Sequence, residues 1–331
     1  MRRAVIEREG IVTDSNSVDG NFVADRFAAL RESIGQVVIG QDTVLRQIFV
    51  TLLVGGHSLL EGVPGVAKTL LVRTLAGALN LRFGRIQFTP DLMPSDILGT
   101  SILDPSTSQF RFREGPIFTE LLLADEINRA PAKTQAALLE AMQEATITFD
   151  GERHRLSPFF TVFATQNPVE QEGTYPLPEA ELDRFLFKIA VEYPSADEER
   201  MLLRRHHEGT VDPTDVHVVL TSVDIERARA AVRQVTVSDE ILGYVAEIIR
   251  VTRSDFQYAL GASPRAGLLL LRASKAQATL EGRTFVLPED VQEMWAPCLR
   301  HRIMLDPAPE VEGQTADGAL ERTLRGVTVP R

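Results

Sequence analysis

The sequence predicts an α/β fold, a parallel sheet held between helices, followed by a smaller all-α C-terminal domain. Three observations carry this. Short apolar runs of buried-strand length alternate with helical segments from Phe22 to Tyr193. One run breaks into a glycine turn that ends in Lys68-Thr69 and opens a helix. Beyond Tyr193-Pro194-Ser195 the apolar spacing is helical throughout. A chain of 331 residues corresponds to about two domains, and its 44% hydrophobic content supplies ample core.

Taken in order, residues up to Gly20 are polar without a sustained period and read as a loosely held arm, with the first helical pattern from Phe22. The largely apolar stretch from Val50 ends in a buried strand at Leu60, and Leu70 to Leu79 is a helix rich in Leu and Ala. Phe83 to Phe88, Leu121 to Ala124 and Phe159 to Thr165 are further buried strands, with a helix over Lys133 to Glu144. Two hairpins interrupt them, one from Ser101 to Phe112 around Asp104-Pro105, the other from Thr146 to Leu156 around Asp150-Gly151, a dipeptide suited to a type I′ turn. Their tips project and could meet a substrate or a neighbouring subunit.

In the second part, Asp239 to Arg253 carries an apolar stripe of Ile241, Leu242, Val245, Ile248 and Ile249. Ser263 to Glu281 and Leu287 to Arg302 are two more helices, while Pro307 to Arg331 lacks periodicity and reads as a mobile tail. The expected organisation is an arm over 1–21, an α/β core over 22–193, a helical domain over 194–306 and a tail over 307–331.

Composition excludes several classes. No apolar run approaches the roughly 18 residues that span a bilayer, and the N-terminus turns charged before a signal-type segment develops, so no membrane insertion and a cytoplasmic location are expected. Cys298 is the only cysteine, which removes intramolecular disulfides and cysteine metal clusters, and its neighbours suggest a small core residue. A net charge of −11 disfavours nucleic-acid binding. The six histidines lack metal-ligand spacing.

The chemistry concentrates at strand ends. Gly62-Val63-Pro64-Gly65-Val66-Ala67-Lys68-Thr69, with Leu70 continuing the helix, is a phosphate cradle. Turn N–H groups face the anion, Lys68 places a charge near the β- and γ-phosphates, and the Thr69 hydroxyl can hold Mg²⁺. Ala67 stands where the pattern asks for glycine, so the loop is expected to take a conformation that alanine tolerates. Leu121 to Ala124 delivers Asp125 to the Mg²⁺ shell and Glu126 to the attacking water. Asn167, at the end of another buried strand, could reach the γ-phosphate or the water, or could simply begin a turn with Pro168. Arg265 follows the helix start Ser263-Pro264, where a cation gains nothing from the helix dipole; it faces a phosphate or lies on the surface. Arg184 could be offered to a neighbouring subunit's nucleotide, or pair within the chain with Asp183 or Glu181.

As an ordered set these residues resemble an AAA+ ATPase, and more narrowly the MoxR family, over roughly Phe22 to Asp306. The wording Asp125-Glu126-Ile127-Asn128-Arg129-Ala130 and Ala164-Thr165-Gln166-Asn167-Pro168 is especially close. The resemblance implies that Gly62 to Thr69 is the Walker A loop, Asp125-Glu126 Walker B, Asn167 sensor 1, Arg184 the arginine finger and Arg265 sensor 2 on the lid. It also implies that Val38-Ile39-Gly40-Gln41 lies beside the adenine, with Ile39 and Gly40 in contact, and that Asp91 to Gly99 is the helix-2 insert. From it follow ATP and Mg²⁺ as cofactors, a hexameric ring of identical chains, chaperone-like remodelling of an unassigned client, and a partner with a von Willebrand factor A domain. Alternatives are a nucleotide-gated scaffold with negligible hydrolysis, a magnesium-chelatase-like motor, and a DNA-remodelling motor. With Arg265 on the lid and the phosphates on the core, closure of the lid over the nucleotide is expected.

Overall fold

A computed structural model of the chain describes residues 15–106, 108–149, 151–167, 174–209, 216–311 and 313–330. Its centre is a five-stranded parallel sheet in the order Phe83–Gln87, Leu121–Asp125, Thr161–Gln166, Ser58–Glu61 and Phe187–Ala190. Leu59, Leu60 and Leu121 to Ala124 are fully buried, as a sheet covered on both faces demands. Burial ends at the carboxyl edge, where the register brings Glu61 beside Gln166 and Gln87 beside Asp125. From Ser58–Glu61 the chain crosses to the far edge strand through the helix Lys68–Ala78, works back inward, and then adds Phe187–Ala190 on the other side. The strand order therefore reverses at Ser58–Glu61, and ligands of open α/β sheets bind outside the carboxyl ends at such a point.

The strand Ser58–Glu61 is shorter than the apolar run that announces it, because Val50 to Val54 complete the helix Asp42–Val54 and Gly55 caps it in the left-handed conformation. His57 then ties three elements together. Its Nδ1 accepts the Val162 N–H at 2.9 Å, and its Nε2 lies 3.1 Å from the Met142 carbonyl, to which it donates as the neutral ring. Burial lowers its pKa to about 4.

Both hairpins form, Gly99–Asp104 with Gln109–Glu114 and Thr146–Phe149 with Glu152–Arg155. Asp150 lies outside the described residues, as do Pro168 and residues 1–14. The hairpins pack on each other through Phe112, whose ring is 4.3 Å from that of His154 and 4.9 Å from that of Phe149. Phe110, Leu103 and Ile102 remain exposed at their outer side.

Three expectations change. The first helix starts at Ser15, inside the proposed arm, and runs to Gly35. It buries Val23, Phe27, Leu30 and Ile34, a stripe at helical spacing. In the helix Asp239–Ser254 Tyr244 is buried and Leu242 exposed, so the stripe is centred one position away from the expected one. The tail is structured. Thr315 caps a helix over Ala316–Gly326, accepting the Gly318 N–H, and Ala319, Leu320 and Thr323 are buried. The Trp295 indole donates to the Leu320 carbonyl at 3.0 Å, and the Tyr258 and Thr323 hydroxyls meet at 2.7 Å. Burial of this apolar face outweighs the Pro and Gly content that suggested mobility. Among the described residues no helix is long and apolar enough to cross a membrane.

Candidate nucleotide site

The phosphate loop begins where the strand Ser58–Glu61 ends. Gly62 lies against the neighbouring edge, and a Cβ there would stand 2.4 Å from the Val191 carbonyl oxygen, so only glycine fits. Gly65 has φ +90° and open space where a side chain would point, leaving the loop's concave face to its N–H groups. The Lys68 ammonium lies over the loop, donating to the Gly62 carbonyl and to that of Val63 at 3.2 Å. Burial lowers its pKa, opposed by Asp125, Glu126 and Glu61, so those carboxylates and the lysine share one electrostatic site.

Ala67 does not escape the conformation that glycine would favour. It adopts φ 59°, ψ 23°, the left-handed region, directly before the helix Lys68–Ala78. For alanine this costs about 1–2 kcal/mol, and the first helical hydrogen bond, Leu71 N–H to Ala67 O at 2.9 Å, holds it there. Ala67→Gly is therefore expected to raise the urea midpoint by the equivalent of about 1 kcal/mol with an unchanged m-value. A lower midpoint would mean that the loop carries no strain at this residue.

The two carboxylates at the end of Leu121–Asp125 are held differently. Asp125 Oδ1 accepts from the Thr165 hydroxyl at 2.6 Å, and Oδ2 from Arg85 Nη2 at 2.7 Å and Nε at 3.2 Å. Glu126 has φ 57°, ψ 50°, a second strained non-glycine residue, and its N–H donates to Thr165 Oγ1 at 2.8 Å. Its Oε2 accepts from Gln87 Nε2 at 2.7 Å and meets Arg129 Nε at 3.1 Å. Thr165 thus fixes both acids, while Arg85 and Gln87 approach from the adjacent strand. The sequence reading gave none of these three residues, nor Arg129, a role. Only the register that puts Gln87 beside Asp125 reveals the neighbouring strand's part.

Asn167 is buried and follows Gln166, whose carbonyl accepts the Gly62 N–H at 3.4 Å, so it emerges level with the start of the loop. Beyond Val191 a cleft of about 530 Å³ opens, lined by Gly40, Gln41, Glu192 and Tyr193 on one side and by Arg300 and Asp317 from the helical region on the other. This volume suits a nucleoside. Ile39, the other residue expected beside the base, does not line this cleft. Asp317, which pairs with Arg300 at 2.9 Å, belongs to the segment expected to be a tail.

Arg184 and Arg265 lie elsewhere. Asp183 and Arg184 precede the edge strand, in which Phe187 is level with Ser58, so they occupy the amino edge of the sheet. The phosphate loop leaves the carboxyl edge, a strand length of roughly 13 Å away. Arg265 joins them, its Nε 3.7 Å from Asp183 Oδ2. The expected closure of Arg265 over the chain's own phosphates is therefore not the arrangement present, and the proline-led helix that carries it is directed at Asp183 instead. Asp183 is also bound by Arg302 at 2.7 Å, so it does not serve Arg184, for which no ion-pair partner exists among the described residues.

Residues 57–187 match the ATPase family associated with various cellular activities (AAA), and residues 250–323 match the AAA lid domain, running past the Asp306 boundary. The chain is 42% identical to the Mycobacterium tuberculosis protein named Chaperone MoxR1, over 90% of this chain and 81% of that one. It is 34% identical to Protein MoxR of Paracoccus denitrificans, over 90% and 93%, and 45% identical to an uncharacterised Bacillus subtilis protein, YeaC, over 90% and 93%. A crystal structure of a protein from Cytophaga hutchinsonii, described as a candidate ATPase, superposes with a TM-score of 0.89 at 40% identity, covering 97% of this chain and all of that one.

Proposed function

Because the chain belongs to the MoxR family of AAA+ ATPases, we propose that it hydrolyses Mg-ATP in a ring of identical chains, six on family resemblance, and uses the turnover to remodel or mature a partner protein. The observation that carries the ring is the separation of the arginines from the phosphate loop. Arg184 and Arg265 sit together at the amino edge, too far from their own Lys68 to reach the same phosphates, and are suited to a nucleotide held by the next protomer.

Within one site the roles follow from position. The loop N–H groups and Lys68 bind the phosphates, and the cleft beside Gly40 takes the nucleoside. Among the described residues no three His, Cys, Asp or Glu side chains form a metal cluster, so a cation here draws most ligands from phosphate and water, the habit of Mg²⁺. Thr69 and Asp125 would hold it, and it would neutralise charge on the transferring phosphoryl group. Glu126 receives the proton of the attacking water, and Asn167 orients that water or the γ-phosphate. Arg184 of one protomer stabilises the charge that develops at its neighbour's site.

The exposed Ile102, Leu103 and Phe110 of the first hairpin suit contact with a client's apolar segment, in keeping with a relative named as a chaperone. A partner with a von Willebrand factor A domain and a cytoplasmic setting complete this reading on family likeness.

One observation favours a second reading. Glu126 Oε2 is already engaged by Gln87 and Arg129, which would silence the base until something releases it and leave a nucleotide-gated scaffold. Steady-state Mg-ATP hydrolysis measured against protein concentration separates the two. Shared sites predict a rate per chain that rises with concentration and then saturates. A rate at background over the whole range supports the scaffold, and a constant, finite rate defeats the shared site.

A further inference from the structure

At the opposite end of the sheet from the phosphate loop, the turn at Leu53 to Gly55 and two helices of the helical region enclose a second cavity of about 390 Å³. Its wall holds four cations, Arg229 and Arg233 from Ser222–Gln234 and Arg272 and Lys275 from Pro264–Leu280, and no carboxylate. That grouping is unexpected in a chain with 46 acidic and 35 basic residues. Elsewhere several arginines that are at least partly buried are matched, Arg283 with Asp290, Arg302 with Asp183 and Arg46 with Glu281.

Two of the four have structural work. Arg229 donates through Nε to the Leu52 carbonyl and through Nη1 to that of Pro158, both at 2.9 Å, with the Phe159 ring below it. Lys275 donates to the Arg233 carbonyl at 2.8 Å. These bonds occupy neutral oxygens and leave the charges uncompensated. Arg233 and Arg272 are exposed and have no ion pair among the described residues. Glu226, one turn before Arg229, is the acid that acts on it, and it lies outside the cavity wall. Burial and the nearby Arg233 both push the Arg229 guanidinium down, and burial does the same to Lys275, the response of cations that have lost water without gaining a counter-charge.

We propose that this cavity binds a compact phosphate-bearing anion of pyrophosphate size, at a site separate from the nucleotide. Guanidinium forks and an ammonium group converging from two helices match a multi-oxygen polyanion. The apolar wall is only Leu53, Val54 and Val232, with no aromatic lining to hold a base. Arg229 already fastens the helix Ser222–Gln234 to core carbonyls, so an anion shared with Arg272 and Lys275 adds the helix Pro264–Leu280 to that anchorage and damps its movement.

The test is calorimetric titration of inorganic pyrophosphate into the full chain saturated with ADP, repeated with Lys68→Ala and with the double variant Arg233→Glu/Arg272→Glu. Both changes in the double variant are at exposed positions, and its ADP affinity should equal that of the wild type, which reports an intact fold. The expected result is saturable binding, one anion per chain, in the ADP-saturated wild type and in Lys68→Ala, weakened about tenfold or more in the double variant. No saturable binding beside ADP, its loss in Lys68→Ala, or equal affinity in the double variant would each overturn the site.

Discussion

Protein carrying Glu126→Gln, mixed in equal amount with protein carrying Arg184→Ala, is expected to recover about one quarter of the wild-type ATPase rate, although each variant alone is inactive. Glu126→Gln keeps the hydrogen-bonding shape of the side chain and removes the base, a loss of about 10²–10⁴ in rate with ATP still bound. Arg184→Ala removes a charge that acts in the transition state, about 10³–10⁵ in rate, while sparing ATP affinity because Lys68 and the loop make the ground-state contacts. In a mixed ring a site works when its own chain supplies Glu126 and its neighbour supplies Arg184, which random assortment satisfies at about one site in four whatever the ring's size. If Arg184 instead served its own chain, no mixed site could be complete and the mixture would stay at background. The geometry at Phe187 and Ser58 predicts recovery, since the finger and the loop leave opposite edges of one sheet.

The placement of the candidate groups at the carboxyl edge was legible in the sequence because each stands at the end of a short apolar run: Lys68 after Leu59-Leu60, Asp125 and Glu126 after Leu121 to Ala124, Asn167 after Thr161–Gln166. Strand ends in such sheets are where polar groups meet a ligand, so local pattern suffices. What escaped depends on pairing across the chain. Arg85 and Gln87 look like exposed strand residues until the register puts them beside Asp125, and Thr165 reads as one more β-branched core residue. Arg265 was legible as a misplaced first-turn cation, but its partner Asp183 lies far upstream and no spacing connects them. The final helix had a local signal that its Pro and Gly surroundings masked. Ala319, Leu320, Thr323 and Leu324 repeat at helical spacing behind a Thr315 cap.

Arg302→Lys is expected to lower kcat by about tenfold to a hundredfold with little change in ATP affinity, because in the proposed shared site Arg302 positions Arg184 as the finger without touching the nucleotide. Its guanidinium is nearly inaccessible and spends every nitrogen on the segment that carries Arg184. Nε binds Asp183 Oδ1 at 2.7 Å, Nη2 binds the Asp183 carbonyl at 2.9 Å and that of Phe185, and Nη1 binds the Leu186 carbonyl at 3.1 Å and that of Cys298. His301 adds a contact to the Phe185 carbonyl at 3.1 Å, and burial beside Arg302 keeps its pKa well below the usual value, so the ring is neutral. The same burial pushes the Cys298 thiol up to about 11, which fits a core residue. Two residues before Arg302, Arg300 lines the cleft beside Gly40 and pairs with Asp317. A rotation of the helical region driven at the cleft must therefore carry residues 183–186 with it. Lysine preserves the charge opposite Asp183 but has no planar fork, so the finger loses its aim while the partly buried acid stays paired. Asp183→Asn, which leaves the carbonyl contacts in place, should show a smaller fall in kcat of the same kind. Mixing Arg302→Lys protein with Glu126→Gln protein distinguishes misdirection from damage. A misdirected finger leaves the variant's own Glu126 site competent for a neighbour's Arg184, so activity returns toward about one quarter. A damaged fold returns nothing, and recovery with Arg184→Ala but not with Arg302→Lys would leave the shared site standing while removing Arg302 from its control.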